Sequence, residues 1–197
     1  MKKARVGVLI SGRGSNMAAL VEAARAADYP AEITCVVSNR AAAKGLGYAA
    51  ARGIATKVID HKAFASREAF DAALDEFLQS HKLDLIACAG FMRVMTPTLI
   101  AAWQGRVINI HPSLLPAYKG LHTHERALAD GAKIHGCTVH FVTNELDDGP
   151  IILQAEVPVL PEDTAETLAA RVLEEEHRIY PQALAIVALR LQANTST

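Results

Sequence analysis

Short apolar runs alternate with Ala-rich amphipathic stretches through the first half of the chain. Residues 6–10, 33–37, 56–59 and 85–89 have the length and β-branched content of strands. The segments between them, about 16–27, 41–52 and 66–80, repeat their apolar positions at helical spacing. Strand–helix alternation of this kind is the pattern of parallel strands joined by crossover helices. The strand runs are apolar at successive positions, which suits strands covered on both faces.

The second half changes character at Pro97, which suits the first turn of a short helix ending near 103. Residues 107–110 form a fifth strand, cut off by Pro112. From His111 to His124 there are two prolines, one glycine and three histidines, too irregular for an element and too polar for a core, and such loops usually carry function. Residues 137–143 and 151–157 read as two strands, antiparallel because the link between them is short. The last element, about 164–191, is one long helix or a broken pair with a kink at Pro181, and 194–197 is a frayed tail. The fold class expected is α/β: a doubly wound, mostly parallel, Rossmann-like sheet with helices on both faces and an antiparallel strand pair in the C-terminal half. With no repeat, linker or low-complexity segment, 1–197 reads as a single domain.

Composition narrows the function classes. Hydrophobic residues make up 51% of the 197, but 36 of these are Ala, so the figure reflects helix-forming content more than bulky core. Disorder is excluded. The longest uncharged apolar stretch in the middle of the chain, 85–92, is far short of the roughly 20 residues that span a bilayer. The N-terminal residues run straight into the first strand with no signal-peptide pattern, so a cytoplasmic location is expected. Lys and Arg number 20 against 21 Asp and Glu, and a net charge of −1 lacks the broad positive field of a nucleic-acid binder. Cys35, Cys88 and Cys137 show neither disulfide nor metal-ligand spacing and read as buried thiols.

Three places carry candidate chemistry. Ser11-Gly-Arg-Gly-Ser-Asn16 follows a strand and opens a helix; glycines there let backbone approach a ligand, and free N–H groups at a helix start favour an anion. It is neither a dinucleotide fingerprint nor a Walker loop, and the plainer reading is a tight turn with Ser15 or Asn16 as N-cap. Asn109 and His111, two apart at the carboxyl end of the fifth strand, project to one face while Ile110 goes to the other. An amide donor beside an imidazole suits acyl transfer, the amide holding an oxyanion and the imidazole moving protons near neutral pH. Asp147 lies between two strands whose ends face the same crevice; a carboxylate near His111 raises the histidine's pKa and fixes its tautomer. Asp148 reads as a solvated loop tip, His140 as a core or supporting histidine, His122 and His124 as loop histidines rather than metal ligands, and Glu174-Glu-Glu-His177 as an exposed helix face.

These residues, with Val8–Asn16, Ala89-Gly-Phe-Met-Arg93, Asn109-Ile-His-Pro-Ser-Leu-Leu-Pro116, Gly120-Leu-His-Thr-His124, His140-Phe-Val-Thr143, Leu146-Asp-Asp-Gly-Pro150 and Glu176-His-Arg-Ile-Tyr-Pro181, resemble the phosphoribosylglycinamide formyltransferases of purine synthesis over nearly the whole chain. The resemblance implies transfer of a formyl group from 10-formyltetrahydrofolate, the co-substrate, to the amine of 5'-phosphoribosylglycinamide (GAR), without metal. It implies that Asn109 supports the oxyanion, that His111 is the acid, and that Asp147 raises its pKa and orders a water. It puts Gly14, Ser15 and Asn16 around the substrate phosphate, Glu176 at the ribose, and His140 behind the catalytic residues. The folate would lie against Met92, Arg93, Val94 and Met95, beside Asn109, and against Thr143, Asn144, Glu145, Leu146 and Asp147, with Arg67 near its glutamate tail, which makes 1–100 the nucleotide-phosphate-binding half of the single domain and 101–197 its catalytic and folate-binding half. The expected partners are these small molecules, with no nucleic acid and no membrane, and a homodimer left open.

Two positions depart from the family pattern: Asp148 stands where a glycine is common and puts a negative charge beside the pterin pocket, and Arg13 stands where a smaller polar residue is common. The rival readings are another folate-dependent N-formyltransferase, a formyltetrahydrofolate hydrolase, and a non-catalytic nucleotide-binding module. Folate binding without formyl transfer would single out the last.

Overall fold

The computed structural model describes residues 2–194. Of the expected tail, 195–197 lie outside the described residues, and Asn194 closes the last helix. A seven-stranded sheet runs in the order β3-β2-β1-β4-β5-β6-β7. Its strands are β1 (Ala4–Ile10), β2 (Ala31–Ser38), β3 (Ala55–Val58), β4 (Leu85–Cys88), β5 (Val107–His111), β6 (Ile134–Phe141) and β7 (Ile151–Pro158). β1 to β5 are mutually parallel, whereas β6 runs antiparallel to β5 and β7 antiparallel to β6. The order reverses at β1, between β2 and β4. Open α/β sheets carry their ligands at that switch point, outside the carboxyl ends of the strands.

The helices are α1 (Ser15–Ala24), α2 (Lys44–Ala50), α3 (Arg67–Ser80), α4 (Pro97–Ala102), α5 (Thr123–Ala129) and α6 (Ala165–Asn194), with a 3-10 turn at His61–Ala63. Two apolar layers result from the two-residue period of the strands. Val6, Val8 and Ile10 of β1, Leu85 and Ala87 of β4, and Ile108 and Ile110 of β5 pack with α1 and α6. Leu9, Ile86, Cys88 and Val107 point the other way and pack with α3 and α4. Asn109 and His111 have the parity of Val107, so both belong to the α3/α4 side, as their spacing predicts. Local chemistry starts the helices on this side: Ser66 Oγ accepts the Ala69 N–H at 3.1 Å, and Thr96 Oγ1 accepts that of Leu99 ahead of Pro97.

Of the two readings of the last element the single long helix holds: α6 is one unbroken helix of 30 residues with Pro181 inside it, and two other expectations are corrected. The turns on both sides of the proline are buried, through Ile179, Tyr180, Ala183 and Leu184, and that packing offsets the lost hydrogen bond. Tyr29 also donates its hydroxyl to the Pro181 carbonyl at 2.7 Å. The segment after His124 holds a helix, α5, which opens on His122 at φ 58°. β6 begins at Ile134, three residues before its apolar run, because antiparallel pairing with β7 extends to the Ile134–Pro158 pair. No helix among the described residues is long and apolar enough to cross a membrane.

Candidate active site

The loop after β1 turns on Gly14, whose φ of 74° favours glycine. A Cβ there would meet the Gly45 Cα at 2.9 Å, so the loop and the start of α2 approach backbone to backbone. Gly14 itself is the N-cap of α1, with no side-chain cap; neither Ser15 nor Asn16 caps the helix. Asn16 instead donates Nδ2–H to Glu176 Oε2 at 2.6 Å, a contact between groups 160 residues apart, both buried. Burial pushes the Glu176 carboxyl above the usual carboxylate range, and the Asn16 hydrogen bond partly opposes this. Asn16 Oδ1 is buried without a protein partner. Glu176 thus leaves the exposed acidic face its neighbours suggested and joins the glycine loop, where its carboxyl is placed to bind a hydrogen-bond donor. Arg13 is exposed beside it.

At the end of β5 the register places Asn109 opposite His140 and His111 opposite Thr138. His140 Nδ1–H donates to the Phe141 carbonyl at 2.9 Å, which leaves Nε2 as an acceptor facing Asn109 Nδ2 at 3.3 Å. Burial holds the His140 pKa below its ordinary value, so the ring is neutral and this acceptor role persists near neutral pH. One amide N–H of Asn109 is therefore anchored, and the other is left for a ligand.

His111 is buried, and its Nε2–H donates to the Tyr118 carbonyl at 2.9 Å. A carbonyl can only accept, so Nδ1 is the nitrogen free to exchange a proton. Asp147 Oδ2 stands 3.4 Å from that Nδ1, and its Oδ1 lies 3.8 Å from His140 Nε2. Asp147 is held at φ 49° and accepts the Gly120 N–H at 2.9 Å. Gly149 lets this turn close against β6, since a Cβ there would meet the Phe141 carbonyl oxygen at 1.7 Å.

A cavity of about 150 Å3 opens beside these groups. Of the residues expected at the folate, Arg93, Val94, Met95, Asn109 and all five from Thr143 to Asp147 line it. Met92 is exposed and outside the lining, and Arg67, the exposed first residue of α3, is outside it as well. Cys88, Phe91, Ile100 and Val142 complete the walls and His140 is a wall itself. An apolar residue at the carboxyl end of a parallel strand, as Cys88 is, was the signal available for that floor. Asp148 does not line the cavity: it pairs with Lys119 on the opposite loop, which offsets the charge expected beside the pterin.

The loop histidines are not alike. His122 is exposed beside Glu125 at 3.5 Å. His124 Nδ1 lies 3.1 Å from Nε2 of His135, a buried residue the sequence did not single out. Burial first, then coulombic repulsion from the neighbouring imidazoles of His124 and His111, pushes the His135 pKa down to about 4. Among the described residues no group of three or more His, Cys, Asp or Glu is placed to hold a metal ion.

The formyl transferase family matches residues 4–184. The chain belongs to that family. It is 48% identical over 174 residues to the phosphoribosylglycinamide formyltransferase of Escherichia coli, covering 88% of this chain and 82% of that protein. It is also 50% identical over 187 residues to the trifunctional purine biosynthetic protein adenosine-3 of Bos taurus, covering 95% of this chain; it spans 18% of that longer protein. The crystal structure of phosphoribosylglycinamide formyltransferase from Brucella melitensis superposes with a TM-score of 0.92 at 56% identity, covering 95% of this chain and 96% of that one. The family match takes in Asn109, His111 and Asp147, and the superposition shows that the mixed sheet with its antiparallel β5–β7 edge is a fold these proteins share.

Proposed function

We propose that the protein transfers the formyl group of 10-formyltetrahydrofolate to the amine of 5'-phosphoribosylglycinamide, giving the formylated ribonucleotide and tetrahydrofolate, in purine (IMP) synthesis. The observation that supports it best is that Asn109 and Asp147 line one cavity, with His111 directly behind Asp147, at the carboxyl ends of the strands from which α1 also opens with no side-chain cap.

The ribonucleotide phosphate seats on Gly14, Ser15 and Asn16, where backbone N–H groups are free at the helix start, and Glu176 takes the ribose hydroxyls. The folate lies in the cavity between Arg93–Met95 and Thr143–Asp147. Attack of the amine nitrogen on the formyl carbon forms one C–N bond and places negative charge on the formyl oxygen, for which the free N–H of Asn109 is the donor. Collapse breaks the bond to the folate N10. The proton lost by the amine is the one that N10 requires, and His111 Nδ1, with Asp147 against it and Nε2 tied to Tyr118, is the group that carries it. In this reading, residues 1–100 supply the phosphate site and 101–197 the catalytic groups.

Steady-state assay with 10-formyltetrahydrofolate, with and without the ribonucleotide, tests the reading. Deformylation that requires the ribonucleotide and disappears in His111→Ala is expected. Deformylation without it would mean a hydrolase, and none under either condition would sink the assignment.

A further inference from the structure

The segment from Gly90 to Met95 carries Phe91, Arg93, Val94 and Met95 to the proposed folate cavity. Its far end is held by Asp71, whose Oδ2 accepts the Thr96 N–H at 2.6 Å. Its near end is held by Ser11, the first residue of the glycine loop. The Ser11 N–H donates to the Gly90 carbonyl at 3.1 Å, and Ser11 Oγ accepts the Met92 N–H at 2.8 Å. The same Oγ–H donates to Asn39 Oδ1 at 2.6 Å. Ser11 and Asn39 are 5% and 1% exposed, so water does not compete for the bond between them. A hydroxyl suits this point because it gives and accepts one hydrogen bond at once; an alanine would strand a buried amide oxygen and release the Met92 N–H together.

We propose that Ser11 is a positioning residue that couples the two substrate sites. This deepens the functional reading above and rests on it. Only Gly12 and Arg13 separate Ser11 from Gly14, so backbone that closes on a phosphate at the start of α1 is continuous with the group that sets the height of Met92 and, through it, of the cavity-lining residues that follow. Seating of the ribonucleotide then holds the folate segment in its binding shape, and by reciprocity the folate tightens the ribonucleotide.

The test is binding of tetrahydrofolate, the unreactive product, by titration calorimetry with and without saturating ribonucleotide, on the intact chain. In the wild-type protein the ribonucleotide lowers the Kd for tetrahydrofolate by about fivefold or more, and in Ser11→Ala that ratio falls to within about twofold of one. Ser11→Thr, which keeps the hydroxyl, retains the ratio. Asn39→Ala, which removes the acceptor that orients Ser11 together with an amide contact to His61, lowers it in the same direction and serves if Ser11→Ala does not fold. A residue that merely supported the fold would shift the melting temperature and leave the ratio alone. A ratio near one in the wild type, or an unchanged ratio in the Ser11→Ala or Asn39→Ala protein, overturns the coupling while the transferase assignment stands. A wild-type protein that neither transfers formyl nor binds either compound overturns both.

Discussion

Replacing Asp147 by asparagine removes one charge and almost no volume. Its Oδ2 lies 3.4 Å from His111 Nδ1, and its side chain is 10% exposed. Two unit charges at that distance, at an effective dielectric near 20, attract by about 5 kcal/mol. Residual solvent and the dipole that asparagine keeps reduce the loss to roughly 3–5 kcal/mol, or about two to four decades in rate at 1.36 kcal/mol per decade, the range general acid–base groups usually supply. The fold should hardly notice. Asparagine tolerates the φ of 49° at this position and keeps an oxygen for the Gly120 N–H, so the destabilisation is about 1 kcal/mol or less, a few degrees in Tm for a chain of this size. The assay is loss of formylated folate in the presence of the ribonucleotide, set beside thermal denaturation of the same preparation. A variant that keeps more than about a tenth of the wild-type kcat would refute the acid–base assignment. One that loses activity only in step with its stability would refute the electrostatic part.

Gly149→Ala cannot be accommodated where it stands, because its Cβ would meet the Phe141 carbonyl oxygen at 1.7 Å. It should lower stability by about 1–3 kcal/mol and cut kcat, since the turn that presents Asp147 must move; normal turnover with normal Tm would show that the turn is not needed. Glu176→Ala leaves both polar ends of the buried Asn16 amide without a partner and should raise KM for the ribonucleotide about tenfold or more, with kcat and the folate KM little changed in initial-rate measurements. His135, neutral in the fold with its pKa pushed down to about 4, takes up its proton in the unfolded chain near 6.5, so the unfolded state gains as pH falls. Stability is full above about pH 6.5 and declines between there and about pH 4, by on the order of 3 kcal/mol, with His124 and His140 acting in the same direction. Chemical denaturation at pH 7.5 and 5 should show the loss, and His135→Phe should flatten it; an unchanged slope in that variant would remove His135 as its source.

How much was legible depended on whether a signal was local. The two-residue period of strands put Asn109 and His111 on one face, and the alternation of apolar runs announced a doubly wound sheet. The helix of 30 residues was harder, because Pro181 is a local breaker that only burial on both sides overrides. The start of α5 is signalled by Glu125 in its first turn and its end by Gly131, yet the histidines before it resemble a loop. Asp148 looked like a charge in the pocket until Lys119, 29 residues away, turned out to face it.

Sequence alone determined the fold class, the pairing of an amide and an imidazole at the end of the fifth strand, and the glycine turn before α1, because each follows from neighbours within a few positions. The resemblance of its motifs pointed to the chemistry. Only the tertiary structure decided which nitrogen of His111 is free, since the Tyr118 carbonyl holds the other. It alone took Glu176 out of an acidic helix face and set it against Asn16, and joined Ser11 to Met92 across 81 residues. Such contacts leave no periodic trace in a chain; they depend on where the closed sheet brings its strand ends and on which buried donor then finds an acceptor.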